Sequence, residues 1–269
     1  MKQYKRVLSI AGSDPSGGAG IQADLKAFSA CGCFGTTAIV AVVDENTIGV
    51  TGVHPIPVDF VTGQIKSVLD DIGTDAIKIG MLHSSELIMG IKNTLLKYDV
   101  KNIVLDPVMV ATSGDLLLQT EAIDTLKEEL LPMARIITPN IPEAEILLGK
   151  KISSQTDLPI LAKELSDKYG VSVLLKAGHL TDDELIDIFY NAETGVSTPL
   201  KSKRVYTKNT HGTGCTFSSA VAAFLAHGLE MTDAVLRAKE YMVKAIEMGA
   251  YYQIGKGHGP VHHFWNFWK

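Results

Sequence analysis

The sequence predicts an α/β domain built on a mostly parallel central sheet, with helices on both faces and an antiparallel hairpin at one edge. Three observations predict it. Short apolar, β-branched runs alternate with longer segments of helical period, the pattern of strands covered on both faces by crossover helices. The connections between them are short, as compact α/β units require. Past the sixth run the order changes, and two strand-like runs face each other across a polar turn. With 269 residues, 46% of them hydrophobic, the chain can bury one large core, so a single domain over residues 1–269 is expected.

In chain order, "RVLSIAG" is the first strand, and after a glycine-rich loop a helix is expected over Gly20–Ala30. "TTAIVAVV" reads as one continuous second strand. A helix over Asp59–Asp70 leads to "DAIKIG", a helix over Ser84–Tyr98 to "NIVLDPV", and a helix over Glu121–Leu131 to "RIITP". Helices over Pro142–Leu148 and Leu158–Tyr169 precede "VSVLLKAG". "ELIDIFYN" and "GVSTPLKS", flanking Ala192–Thr194, make the edge hairpin, and helices over Thr213–His227 and Thr232–Met248 follow.

Composition narrows the function classes. A net charge of −5 without a basic tract argues against a sequence-independent grip on nucleic acid. No long charge-free segment suits a bilayer and no signal-type stretch opens the chain, so no membrane partner is expected and the protein reads as cytoplasmic. Cys31, Cys33 and Cys215 are too few for a disulfide framework, and the Cys31–Gly32–Cys33 pair lacks the second ligand pair of a structural zinc site.

The unusual residues cluster at the carboxyl ends of the strands, where open α/β sheets bind ligands. The loop Gly12–Gly20 offers backbone amides to an anion but lacks the lysine of a P-loop, and by itself also reads as a tight turn. Gly212, Thr213, Gly214 and Cys215 occupy the first turn of an apolar helix, where amides point outward at whatever docks. A thiol at such a position is expected to have a lowered pKa, and the alternatives are a packing cysteine or a hydrolase nucleophile served by His211, His179 or His258.

Asp106, Asn140 and Glu143 could converge on a hard cation such as magnesium. Taken alone, Asn140 and Glu143 read more readily as a helix-capping pair. Lys176 ends its strand among these groups and suits a polyphosphate, although strand-end lysines commonly face solvent. His258, His262 and His263 are too isolated in one tail to build a metal site, and Trp265, Phe267 and Trp268 are expected to anchor that tail on the body.

Eight motifs occur in register along nearly the whole chain: "IAGSDPSGGAGIQADLKAF", "ENT", "KIGML", "LDPVM", "TPNIPEA", "KAGH", "KNTHGTGCTFSSA" and "GHGPVHHF". Together they resemble the hydroxymethylpyrimidine/phosphomethylpyrimidine kinases of thiamine biosynthesis, within the ribokinase-like superfamily. The resemblance implies ATP as cosubstrate, Mg2+, and two successive phosphoryl transfers, first to 4-amino-5-hydroxymethyl-2-methylpyrimidine and then to its monophosphate. It implies an anion hole from the amides of Gly212, Thr213, Gly214 and Cys215. It places Asn140, Glu143 and Lys176 at ATP, and Asp106 with Glu143 at the metal. Ala19, Asp24, Val43, Glu45 and Met81 are implied to line the pyrimidine pocket, and a homodimer is the expected assembly.

Two positions depart from the broader pattern. Cys215 stands where ribokinase-like enzymes usually carry an aspartate base, and Glu45 where most relatives carry glutamine. A pyridoxal kinase of the same fold is the alternative reading, and from a different class a non-catalytic nucleotide or pyrimidine sensor.

Overall fold

The strands are β1 (Arg6–Ala11), β2 (Phe34–Ile39), β3 (Ala41–Glu45), β4 (Val50–Pro55), β5 (Ala76–Ile79), β6 (Ile103–Leu105), β7 (Ile136–Ile137), β8 (Ser172–Leu175), β9 (Glu184–Asn191) and β10 (Val196–Lys203). The helices are α1 (Gly20–Ala30), α2 (Val58–Asp71), α3 (Ser85–Leu95), α4 (Thr120–Thr125), α5 (Ile141–Leu148), α6 (Leu158–Tyr169), α7 (Thr213–Ala226) and α8 (Met231–Gly249). They come from a computed structural model that describes residues 2–109 and 120–268. No helix among the described residues is long and apolar enough to cross a membrane.

Eight strands form one sheet in the order β10-β9-β8-β7-β6-β5-β1-β2. From β8 to β2 all pairs are parallel, whereas β9 runs antiparallel to β8 and β10 to β9, the expected edge hairpin. The side-chain alternation of a strand explains the helices on both faces. Leu8, Ile10, Ile77, Ile79, Leu105, Ile137, Val173 and Leu175 pack into one apolar cluster with residues of α2, α3, α5 and α6. Their neighbours Val7, Ala76, Val104, Ile136 and Leu174 point the other way, into a second cluster with α1, α7 and α8.

Two elements differ from expectation. "TTAIVAVV" is not one strand, because Val40 bonds backward to Ala11 and forward to Ile56, and the chain then leaves the sheet. The segment continues as β3, which pairs with β4 in a separate two-stranded antiparallel sheet standing as a flap beside the strand ends. β4 gave no signal in sequence because most of its residues are exposed, so "VTGVHP" lacks the inward alternation of a core strand. The helix expected over Glu121–Leu131 is α-helical only to Thr125. It widens into a π-helical turn over Leu126–Leu130 and tightens into a 3₁₀ turn over Leu131–Met133, where Pro132 has no amide to continue the ladder.

Candidate active site

Because β1, β5, β6, β7 and β8 are parallel, their carboxyl ends deliver Gly12, Gly80, Asp106, Asn140 and Lys176 to one rim. A cavity of about 580 Å³ opens along it, from the flap to the β9–β10 hairpin and α8. The pairing of β7 and β8 reaches the rim itself, since Asn140 and Lys176 form a further parallel bridge and the Lys176 amide donates to the Pro139 carbonyl at 2.9 Å.

α7 enters the rim through Gly212, whose φ of 73° is the left-handed conformation glycine tolerates. A side chain there would also collide with the Gly18 carbonyl, 1.7 Å from an added Cβ. The two glycine loops therefore pack backbone on backbone. The amides of Gly214 and Cys215 have no carbonyl partner among the described residues, leaving them free at the positive end of α7. An added Cβ on Gly214 would lie 3.3 Å from both Asp106 Oδ2 and Lys176 Nζ, so this first turn sits directly on that ion pair.

Asp106 Oδ1 accepts from Lys176 Nζ at 3.0 Å and from the Thr138 hydroxyl at 2.8 Å, and both charged groups are buried or nearly so. Burial opposes the charge on Asp106, but Lys176 and Lys78 outweigh it and hold the carboxyl below its usual range. At Glu143 the compensation falls short. Burial first, and Asp106 after it, push its carboxyl up to about 8 despite the opposing charge of Lys176. The Asn140 and Glu143 side chains complete a capping box: Asn140 Oδ1 accepts from the Glu143 amide at 3.0 Å, and Glu143 Oε2 from the Asn140 amide at 2.8 Å. Capping and site placement thus coexist, because the box aims Glu143 at the cavity. Hard oxygen donors with an undercompensated carboxylate among them fit a divalent cation such as magnesium.

At the flap end the cavity holds Ala19, Val43, Glu45 and Met81, four of the five residues expected around the acceptor. Asp24, the fifth, is corrected. It is fully buried between the sheet and α1, where its carboxylate takes both Lys78 Nζ contacts, at 2.8 and 3.0 Å, together with the Ser9 and Ser219 hydroxyls. Lys78 points to the α1/α7 face of β5, so the pair supports the cavity from beneath, and Lys78 rather than Asp24 reaches its wall.

The expected lowering of the Cys215 pKa is also corrected. Burial pushes the thiol up to about 11, Asp24 and Asp106 add to this, and Lys78 and the Gly20 amide only partly offset it. Cys215 lines the cavity as a neutral thiol. His211 is no base for it. Its Nε2 lies 2.9 Å from Asp14 Oδ2, and its pKa is raised because Asp14 and Glu45 outweigh the opposing effect of burial.

Asp14 is the residue sequence reasoning missed. Its carboxylate gathers the amides of Ser16, Gly18 and Ala19 at 2.7, 2.9 and 2.6 Å and so shapes the glycine loop. The legible signal was Asp-Pro-Ser-Gly, since aspartate commonly accepts from the backbone two residues on. Lys78 gave no comparable signal in a four-residue buried strand.

The tail follows expectation in part. His262 and His263 are buried, His263 against the Thr216 hydroxyl at 3.0 Å, and burial lowers its pKa to about 3. Trp265 packs on the second core cluster, but Phe267 and Trp268 are mostly exposed, so of these three aromatics only Trp265 helps anchor the tail on the body. Trp268 instead stacks on Phe264.

The profile of the family described as phosphomethylpyrimidine kinase matches residues 14–262. A hydroxymethylpyrimidine/phosphomethylpyrimidine kinase of Rhizobium meliloti is 45% identical over 97% of this chain and 98% of its own length. The protein of that name from Escherichia coli is 43% identical with the same coverage. Among solved structures, a Bacillus subtilis pyridoxal kinase bound to ADP superposes with a TM-score of 0.89 at 37% identity, over 97% of this chain and 98% of that one. A Clostridium difficile phosphomethylpyrimidine kinase gives a TM-score of 0.79 at 42% identity, over 90% and 99% respectively. A profile spanning almost the whole chain, together with relatives above 40% identity end to end, leads to one conclusion: the chain belongs to the phosphomethylpyrimidine kinase family.

Proposed function

We propose that the protein transfers the γ-phosphoryl group of ATP to the hydroxymethyl of 4-amino-5-hydroxymethyl-2-methylpyrimidine, and then a second phosphoryl to the resulting monophosphate. The carrying observation is the first turn of α7, whose free amides lie over the Asp106–Lys176 pair, between the flap and the β9–β10 end of the cavity. An acceptor at the flap end and a triphosphate at the other would meet there.

In each transfer the acceptor oxygen forms a bond to the γ-phosphorus as the bond to the β,γ-bridging oxygen breaks, and ADP leaves with that electron pair. Charge spreads over the three equatorial oxygens, so catalysis asks mainly for positioning and electrostatic stabilisation. The amides of Gly214 and Cys215 donate to those oxygens, and Lys176 supplies a fixed positive charge. Asp106 and Glu143 would hold Mg2+, which would neutralise the negative charge that develops during transfer. Asn140 orients Glu143 through the capping box. With Cys215 held neutral, the hydroxymethyl proton of the first transfer passes to an oxygen of the incoming phosphoryl group and on to solvent, not to a preformed thiolate, and in the second transfer the acceptor is already a phosphate oxyanion. Homodimerisation remains part of this reading, and exposed Val42 and Ile48 on the flap supply apolar surface for it.

The similarity to pyridoxal kinases supports a second acceptor, since the Cys215 thiol in the cavity wall can add reversibly to an aldehyde. One experiment separates the readings. The protein is incubated with magnesium ATP and either the pyrimidine alcohol or pyridoxal, and products are identified by mass. Pyrimidine mono- and diphosphate are expected. Phosphorylated pyridoxal alone would reverse the assignment, and no product from either acceptor would favour the sensor.

A further inference from the structure

Glu45 is the one charged side chain of the flap that faces the cavity, and its environment makes a specific demand on whatever binds there. Its side chain is 17% exposed, yet among the described residues no hydrogen bond reaches its carboxylate. The nearest charged partner, His211 Nε2, is 3.9 Å away and already committed to Asp14 at 2.9 Å. Asp14 has its own donors in the glycine loop and keeps its negative charge beside Glu45. Burial and that charge make Glu45 hold its proton more readily than an ordinary glutamate, with His211 opposing. On the remaining sides, β4 meets Glu45 through Val50, and the tail segment next to Thr47 carries Lys256 and His258, both exposed.

An ionised carboxylate can only accept hydrogen bonds. The 4-amino edge of the pyrimidine offers a donor beside a ring-nitrogen acceptor. One Glu45 oxygen would pair with the amino group and the other would face a lone pair, leaving two acceptors opposed in a partly desolvated site. A single proton removes the conflict. Placed on the ring nitrogen, it turns the edge into two parallel donors matching both carboxylate oxygens, a charge-assisted fork. Placed on Glu45, it supplies the missing donor from the protein side.

We propose that Glu45 binds the aminopyrimidine together with one extra proton, so that this enzyme selects acceptors able to share a proton across a carboxylate. The proton comes from solvent and lies between the ring nitrogen and a Glu45 oxygen; no other bond changes. The inference rests on reading the flap end of the cavity as the pyrimidine site. Ring systems that offer neither an amino-ring-nitrogen edge nor a basic nitrogen there are discriminated against.

Linkage fixes the sign. A ligand bound with a proton loses affinity as pH rises, by up to roughly tenfold per pH unit once the free partners are deprotonated. The test is calorimetric titration of the pyrimidine alcohol, without ATP, into wild type, Glu45→Gln and His211→Asn near pH 8. Each titration uses two buffers that differ in ionisation enthalpy, which gives the protons taken up on binding. Wild type should take up close to one proton, Glu45→Gln close to none, and His211→Asn should retain the uptake. Glutamine presents both an acceptor and a donor, so its variant should also lose the pH slope. Binding without proton uptake in wild type, or equal uptake in Glu45→Gln, overturns the proposal. Uptake lost only in His211→Asn assigns the proton to His211 and also overturns it. Absence of binding in all three proteins would instead remove the pyrimidine reading on which the proposal stands.

Discussion

Cys215 shows how burial can reverse a local rule. A cysteine in the first turn of a helix gains from the free amides around it, and that effect alone lowers a thiol pKa. Here the half-buried sulfur lines the cavity with Asp24 and Asp106 nearby, and burial pushes it up to about 11. At neutral pH the thiol stays protonated, which supports the proposal that the amides rather than the sulfur carry the catalysis. Cys215→Ser should therefore keep its turnover within about tenfold of wild type, measured by ADP release at saturating acceptor. A general base typically accounts for about 10²–10⁴-fold, and a loss of that size with KM unchanged would restore the thiol to that role. Lys78 and Asp24 reverse a local rule in the same way, since both are wholly buried yet charged. They persist because each compensates the other and Ser9 and Ser219 satisfy the remaining carboxylate lone pairs.

At the scale of the element, α5 combines two functions in one turn. Its capping box satisfies amides that would otherwise be orphaned, and the same bonds fix the Glu143 carboxylate in a dry site. That placement has a stability cost with a defined pH window. The folded-state pKa of about 8 lies above the reference value of 4.5, so Glu143 binds its proton more tightly when folded. Stability from this group is fully present below about 4.5 and is lost as pH rises through about 8. Glu143→Gln keeps the capping geometry and cannot ionise. In buffer free of divalent cations it should be more stable to thermal unfolding than wild type at pH 9, by a free energy on the order of a few kcal/mol, with the two converging below pH 5. It should also lose most turnover. Equal thermal stability at both pH values would show that Glu143 is solvated or already compensated. Sequence alone showed the cap and the cation site as rivals, because spacing reveals which atoms can meet but not how dry the meeting place is. The same limit hid Asp24, whose position in α1 was legible but whose partner, Lys78, lies 54 residues away across the sheet.

At the scale of the whole molecule, the sheet and most helices were legible because their periodicity is enforced by burial on both faces. The flap was not, because its second strand is largely solvent-exposed and is held by contacts remote in sequence. One of those contacts joins the flap to the C-terminal tail. At the tip of the flap, Thr47 Oγ1 accepts from the amides of Lys256 and Gly257, each at 3.2 Å, and the Thr47 carbonyl accepts from His258 at 2.7 Å. Gly255 and Gly257 are tailored to this approach, since an added Cβ would come within 2.2 Å of Thr47 Oγ1 and 1.9 Å of its carbonyl oxygen respectively. The clip therefore ties the flap, which carries Val43 and Glu45 into the cavity, to a tail that packs on α8 through Tyr241 and the His263 carbonyl at 2.7 Å. Thr47→Val keeps the shape and deletes two acceptor contacts. Exposed hydrogen bonds of this kind contribute about 0.5–1 kcal/mol each, so the flap should be held less firmly by about 1–2 kcal/mol in total. The groups proposed for phosphoryl transfer lie on the sheet rim and α7, outside the flap, so loosening it should act on acceptor binding rather than on chemistry. KM for the pyrimidine alcohol should rise roughly three- to tenfold with kcat changed less than twofold, accompanied by faster hydrogen exchange at residues 256–258. Faster exchange with KM unchanged would mean that the tail merely rests on the flap, and a fall in kcat at constant KM would place the clip's influence on the transfer step instead.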